Sequence, residues 1–265
     1  MKTIIDLINE RRCVPTTTVH QARLQIFQPT RRPVMTERVF ENAWGRVRIK
    51  GKLGQAHEDV LEAIMFCGKR PKELGDGRIK LLVDPADVRR RARQDGTTLR
   101  RVLDDLMQAL VEIQSPERLA GIGHLIDHID YARRPDGSYI TAHNPLGGER
   151  KLWKVELGKA LCNLLERDLW LARDPEPISR LRHGISQAVA RHLLTHSVDQ
   201  QPNGGWTLDG LLKAVGYGEM GQALRDRRRE LAADAEALAA MGVQVIGGRV
   251  RLAAKSVEQN RDASM

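Results

Sequence analysis

Residues 206–253 read WTLDGLLKAVGYGEMGQALRDRRRELAADAEALAAMGVQVIGGRVRLA, and the order of signals in that stretch decides the fold. Thr207 is a helix cap, and Leu208, Leu211, Leu212 and Val215 follow it as one face of a short helix that Gly216 closes. Leu224, Leu231, Ala235 and Leu238 then predict a third helix from about Glu219 to Met241, with Gly242 as its stop. VQVI and RVRLA flank Gly247-Gly248, a pair suited to a two-residue primed turn, so 243–253 reads as a β-hairpin. Upstream, Ile178, Leu181, Ile185, Ala188 and Val189 mark a long helix ending near His196, and DQQPNGG is the loop between.

The same order occurs once before. GQAHEDVLEAIMFCG predicts a helix with Ala56, Val60 and Ile64 on the face of Leu53, stopped by Gly68. RIKLLV (78–83) is a short strand, and Asp84-Pro85 opens a short helix through Arg93. After the turn QDGTT, Thr97 or Thr98 is expected to cap the next helix. Its apolar stripe is Leu99, Val102, Leu106, Leu110 and Ile113, opposite Arg100, Arg101, Asp104, Asp105 and Gln108. Residues 119–133 and 138–142 read as strands around Pro135-Asp136-Gly137, with a further strand at 152–157. A short helix (LGKALCNLLERD) and the breaker RDPEP bridge the two copies.

The expected fold is therefore mainly α with small β-hairpins (α+β), arranged as two tandem winged-helix domains at 46–166 and 167–255. Residues 256–265 are expected to be a disordered tail. Residues 1–45, rich in arginine and broken by Pro15, Pro29 and Pro33, are expected to be a flexible basic arm leading into a strand at Val47, Ile49 and Leu53.

Charge supports that division. The 265 residues carry a formal net charge of +9, of which residues 1–52 hold +7 and the remaining 213 only +2. At 41% hydrophobic the chain can bury proper cores, and its basic excess points to a polyanionic partner. No apolar stretch approaches the ~20 residues of a transmembrane helix, and Asp6 interrupts the brief apolar N-terminus that a signal peptide would need. Cys13, Cys67 and Cys162 are scattered and form no CxxC, which fits reduced thiols in a cytoplasmic protein, nucleoid- or plasmid-associated if the partner is DNA.

The strongest local motif is RDRRRE. Arg225, Arg227, Arg228 and Arg229 fan around the start of the presumed recognition helix, and Arg249 and Arg251 lie on the presumed wing. Arginine forks suit both phosphate and the guanine edge. The alternative is a solvated face pairing with Asp226 and Glu230. In the first copy, Thr97, Thr98, Arg100 and Arg101 hold the equivalent position, with Asp104 and Asp105 as possible i+4 partners. Arg89, Arg90, Arg91 and Arg93 on the preceding helix suit backbone phosphate.

No enzyme signature accompanies these motifs. There is no phosphate loop, no GxSxG and no dinucleotide fingerprint, so neither catalytic residues nor a cofactor are expected. His192 and His196 stand four apart without the glutamate of a zinc hydrolase, and His124, Asp127 and His128 form no recognisable ligand set; no metal is expected. Trp44, Trp153, Trp170 and Trp206 read as hydrophobic anchors. In the arm, Leu24, Ile26 and Phe27 form an apolar triplet that suits a partner pocket or, alternatively, docking on its own domain or a second subunit.

On these patterns the chain resembles the winged-helix plasmid replication initiators that bind repeated origin sites (iterons). The likeness covers roughly residues 20–255 and rests on the entry RVRIKGKLGQAHEDVLEAIM and the closing ELAADAEALAAMGVQVIGGRVRL. It implies a non-enzymatic protein that binds double-stranded direct repeats with two recognition helices, helps open an AT-rich region and recruits host replisome proteins. Members of that family also form homodimers that repress their own promoter. An arm motif of the form Gln-Leu-x-Leu-Phe binds the sliding clamp in such proteins. The matching positions here are Arg23, Leu24, Gln25, Ile26 and Phe27, with arginine in place of glutamine. A transcriptional repressor of a mobile element with the same tandem winged helices is the other expectation.

Overall fold

The structure is a computed structural model that describes residues 4–11, 14–115, 120–145, 147–216 and 221–253. Cys13, Glu219 and the tail 256–265 lie outside them. Among the described residues 40% are helical and 29% are in strands, so helix and strand are mixed, consistent with the α+β class though not mainly α. No helix among them is long and apolar enough to cross a membrane.

Two apolar cores organise the chain, one gathering residues from Ile4 to Leu165 and the other from Ile178 to Leu252. The first core rests on the helix Gln55–Cys67, the strand Ile79–Val83, and the helices Pro85–Ala92 and Gly96–Gln108. Asp84 caps the short helix by accepting from Ala86 N–H. The helix Gly96–Gln108 is capped by Asp95, which accepts from Thr98 N–H, and not by Thr97 or Thr98. It ends at Gln108; Leu110 and Ile113, read as part of its stripe, belong to the strand Leu110–Gln114.

The sheet of the first unit runs Lys69–Glu73, Ile79–Val83, Trp153–Leu157, Ile126–Tyr131. In the second unit, Trp206–Thr207, Arg249–Leu252 and Val243–Ile246 lie side by side in that order. In both, the strand that precedes the two middle helices pairs with the last strand, which pairs with the one after the third helix. The two copies read from the sequence thus share a strand order. The hairpin turn Gly247-Gly248 has φ of 56° and 76°, the left-handed pair a primed turn requires.

The first unit departs from the plain order twice. Between its third helix and Ile126–Tyr131 the chain detours through Leu110–Gln114 and Ala120–Gly123, which join Thr36–Asn42 and Gly45–Gly51 in a second four-stranded sheet. Between Ile126–Tyr131 and Trp153–Leu157 it makes a small separate hairpin, Thr141–His143 with Glu149–Lys151.

Both long helices expected in the second unit are broken, and one residue links the breaks. The first is divided into Glu176–Ser179 and Gly184–Leu193, and the third into Gln222–Ala233 and Ala235–Ala240. Asp234, at the second break, accepts hydrogen bonds from the backbone N–H groups of Arg182 (3.2 Å) and His183 (3.0 Å) at the first.

The described residues of the N-terminal segment are packed and do not form the expected flexible arm. Ile4 and Ile8 of the helix Ile4–Arg11 join the first core, and Thr18 caps the helix Val19–Arg23. Gly45–Gly51 is an inner strand with Val47 and Ile49 fully buried. Leu24, Ile26 and Phe27 are at most 4% exposed, so they form no exposed triplet and pack on the chain's own core. Arginine density misleads here because two of these arginines, Arg23 and Arg38, satisfy backbone carbonyls. Arg38 donates to Ile26 O (2.7 Å) and Gln25 O, and Arg23, stacked on Trp44, donates to the hydroxyl (2.7 Å) and carbonyl (2.9 Å) of Thr195. Thr30 sits between the starts of the first helices of the two units. A Cβ at Gly54 would stand 2.6 Å from Thr30 O, and one at Gly184 would stand 2.5 Å from Thr30 Cα.

Candidate nucleic-acid interface

The helix Gly96–Gln108 buries Leu99, Val102, Leu103 and Leu106 against the first core, which turns Arg100 and Arg101 outward. Asp105 does not pair with Arg101. It is held instead by His57, whose Nε2 lies 3.1 Å from Asp105 Oδ2 while Nδ1 accepts from Gly54 N–H. That acceptance places the ring proton on Nε2, so His57 donates to Asp105. Burial lowers the His57 pKa, with the Asp105 bond opposing. Arg100 and Arg101 have neither an ion pair nor a side-chain hydrogen bond among the described residues, and Thr97 is exposed on the first turn beside half-buried Thr98.

The helix Gln222–Ala233 is arranged differently. Arg225 donates to Gln222 Oε1, Arg227 to Glu230 (2.7 Å), Arg228 to both oxygens of Asp209 (2.6 and 2.7 Å), and Arg229 to Asp226 (3.1 Å). The expected fan of arginines is there, but each fork already has a partner. Arg225, Arg228 and Arg229 remain exposed. Ion pairs at the surface are worth at most about 1 kcal/mol, so an incoming phosphate can displace them. On the hairpin, Arg249 and Arg251 are exposed yet lean back to donate to Gly205 O and Gly204 O.

The two third helices meet at one cleft of about 690 Å³. Thr98 and Arg101 line it from the first unit, Arg227 and Glu230 from the second, and Arg31, Arg32, Lys52 and Arg182 complete its wall. Six cations thus face two carboxylates, Asp105 and Glu230, one of which is engaged by His57 and the other by Arg227. A long anion laid across this cleft meets both third helices at once.

Sequence reasoning missed Arg31, Arg32, Lys52 and Arg182. The first three stand out in sequence only as part of the net charge of residues 1–52, and Arg182 sits in a helix break that the periodicity does not show. Of the arginines on Pro85–Ala92 and its cap, Arg90 pairs with Asp87, and Arg91 pairs with Asp174 and stacks on Phe66. Arg89 and Arg93 have no ion pair among the described residues.

The histidine motifs have other duties. His192 is buried, and burial pulls its pKa down to about 3; His196 bonds back to His192 O and packs edge-on against Trp206. Asp127 is bonded to Arg78 and His124 to Ala109 O. No group of three metal-binding side chains occurs among the described residues. The thiols of Cys67 and Cys162 are free, and burial pushes both up to about 11, away from nucleophilic use. Trp153 and Trp170 pack on the first core and Trp206 on the second, whereas Trp44 lies outside both. No protein-family model matches the chain, and neither a curated protein nor a solved structure matches it.

Proposed function

We propose that the chain is a non-enzymatic, sequence-specific double-stranded DNA-binding protein built from two winged helices, of the plasmid replication initiator type that binds direct repeats. The carrying observation is the cleft: the third helices of two units with the same strand order line one basic groove. Helix-turn-helix units read the major groove with the helix that follows the turn, and a tandem pair suits two successive grooves. Arg100 and Arg101, without an ion pair among the described residues, and Arg225, Arg227, Arg228 and Arg229, weakly paired, are the base-reading candidates. Arg31, Arg32, Lys52 and Arg182 suit the phosphates between the two helices.

A repressor of a mobile element is the second reading, and one observation favours it. An initiator needs docking points for host replication proteins, and the segment expected to carry one, Leu24–Phe27, is core. Replication of an origin-bearing plasmid supplied with the chain separates the two readings, because a repressor binds its site without supporting replication.

Binding of labelled duplex from the DNA flanking the gene, followed by anisotropy across salt, tests the shared claim. If the four phosphate-facing cations of the cleft each meet a phosphate, log affinity falls with log salt at a slope of about −3.6. A flat dependence, or equal affinity for direct repeats and random duplex, sinks the proposal. Replacing Arg225, Arg227 and Arg228 together with alanine removes specific binding and leaves the circular dichroism spectrum unchanged.

A further inference from the structure

The helix Gln55–Cys67 carries a second stripe, opposite in character to its apolar face. Gln55, Glu58, Asp59 and Glu62 fall at helical positions i, i+3, i+4 and i+7, and all four are at most 3% exposed. They close on Arg191, 1% exposed, from the helix Gly184–Leu193 of the second unit. Arg191 Nη1 donates to Gln55 Oε1 (2.7 Å), Nη2 to Asp59 Oδ1 (2.7 Å), and Nε and Nη2 to Glu62 Oε2 (3.1 and 3.0 Å). Arg173 takes the other oxygen of Glu62 (2.9 Å), and Gln187 donates to Asp59 and to Ile178 O. Glu58 stands further off, 3.6 Å from Arg191, and is bonded to Gln55.

An apolar contact of this size would hold the units together as well or better, because burying charges costs most of what their attraction returns. What the ionic arrangement adds is register: five guanidinium donors in a fixed fork accept one placement of the facing helix. The bonds continue to both DNA-facing helices. His57 ties Gln55–Cys67 to Asp105 on the first third helix, and Asp234 ties the end of the second third helix to Arg182 and His183 at the start of Gly184–Leu193. We propose that the Arg191 network sets the spacing of the DNA site by fixing the separation and angle of the two third helices, with Arg191 as a positioning residue that touches no DNA. This rests on the double-stranded DNA reading above.

One base pair added between two half-sites shifts the second by about 3.4 Å and rotates it by about 34°, beyond the reach of side chains held in a fixed frame. The test uses a duplex selected by the wild-type chain from a random pool, with its two protected segments mapped and one base pair then inserted or removed between them. The wild type loses at least about tenfold in affinity, the scale of a mismatched contact. Arg191→Lys, which keeps the charge and loses the fork, loses less than about threefold on the same respaced duplexes. Gln187→Ala, which spares the ion pairs, shifts in the same direction by less. In parallel, spin labels at Gln108→Cys and Gln244→Cys report the distance between the units by electron–electron resonance. They are placed in a Cys13→Ser, Cys67→Ser background, Cys162 being buried. The distance distribution is narrow in the wild type and broader in Arg191→Lys.

If Arg191→Lys keeps the narrow distance and both variants keep the full spacing penalty, the network is not the spacing device and the DNA reading stands. If the wild type selects no duplex, the DNA reading falls and the spacing proposal falls with it, whatever the spin labels show.

Discussion

The third helices of the two units occupy the same place in the strand order and are held there by different means. Gly96–Gln108 is anchored by four buried side chains and offers arginines with no ion-pair partner among the described residues. Gln222–Ala233 has Leu231 as its fully buried anchor and offers arginines already engaged by Asp209, Asp226, Glu230 and Gln222. The helix with the denser charge is thus the one whose charge is less available. Counting arginines along a sequence measures concentration, whereas binding depends on what must first be released.

The largest effect that separates the two helices is on stability. Leu106→Ala and Leu231→Ala each remove a fully buried side chain and cost about 2–5 kcal/mol, read by urea unfolding. Leu231→Ala releases its helix locally, so amides of 222–233 exchange faster than those of 96–108 in that variant and already do so in the wild type. Equal protection of the two helices in the wild type breaks the comparison.

Next is affinity. Arg100→Ala with Arg101→Ala removes two forks that cost nothing to release, and weakens duplex binding by about 10- to 100-fold if at least one of them reads a base. Arg228→Ala with Arg229→Ala costs less, because the wild type first gives up two ion pairs. The reverse ranking in a titration at constant salt refutes the account of availability.

Two buried groups give pH dependences of opposite sign. His192 has a folded pKa of about 3 against an ordinary 6.5, so the unfolded chain binds the extra proton. Stability relative to His192→Asn therefore falls as pH drops below 6.5, by up to about 1.4 kcal/mol per pH unit. Burial pushes Glu58 up to about 7 from an ordinary 4.5, so the folded state binds the extra proton there. Glu58→Gln therefore gains stability relative to the wild type as pH rises from 5 to 8. Unfolding series for the two variants at matched pH values check both signs.

The smallest effect is a gain. On the same DNA reading, Asp209→Ala frees Arg228 and tightens duplex binding by a few tenths of a kcal/mol, the worth of an exposed pair; weaker binding instead assigns Asp209 a role in holding Arg228 ready.

The repeated order of elements was legible because caps and stops are local: Asp84-Pro85, Thr207, Gly216 and the Gly247-Gly248 turn carry it in single residues. The breaks at 180–183 and 234 were not, because Asp234 reaches across 52 positions to Arg182 and leaves no trace in the periodicity of either helix. The arm misleads for a related reason. Arg23 and Arg38 look like solvated charge until the carbonyls they satisfy are known. The polar stripe of Gln55, Glu58, Asp59 and Glu62 has the spacing of a solvent face and lies under a second unit instead. Of the cleft, the third-helix residues were visible in sequence and the wall was not.

The wedge at Thr30 has a consequence for how such a chain can change over time. The starts of two helices, at Gly54 and Gly184, both close on the backbone of Thr30 with no room for a methyl group. The second unit therefore lacks a complete surface of its own: part of its floor is supplied by residues about 150 positions earlier. Recombination that exchanged only residues 167–255 between two such chains would pair a foreign helix start with an unmatched strap. A viable exchange carries residues 28–33 along with the second unit, so the heritable module is discontinuous in the gene although it is contiguous in space.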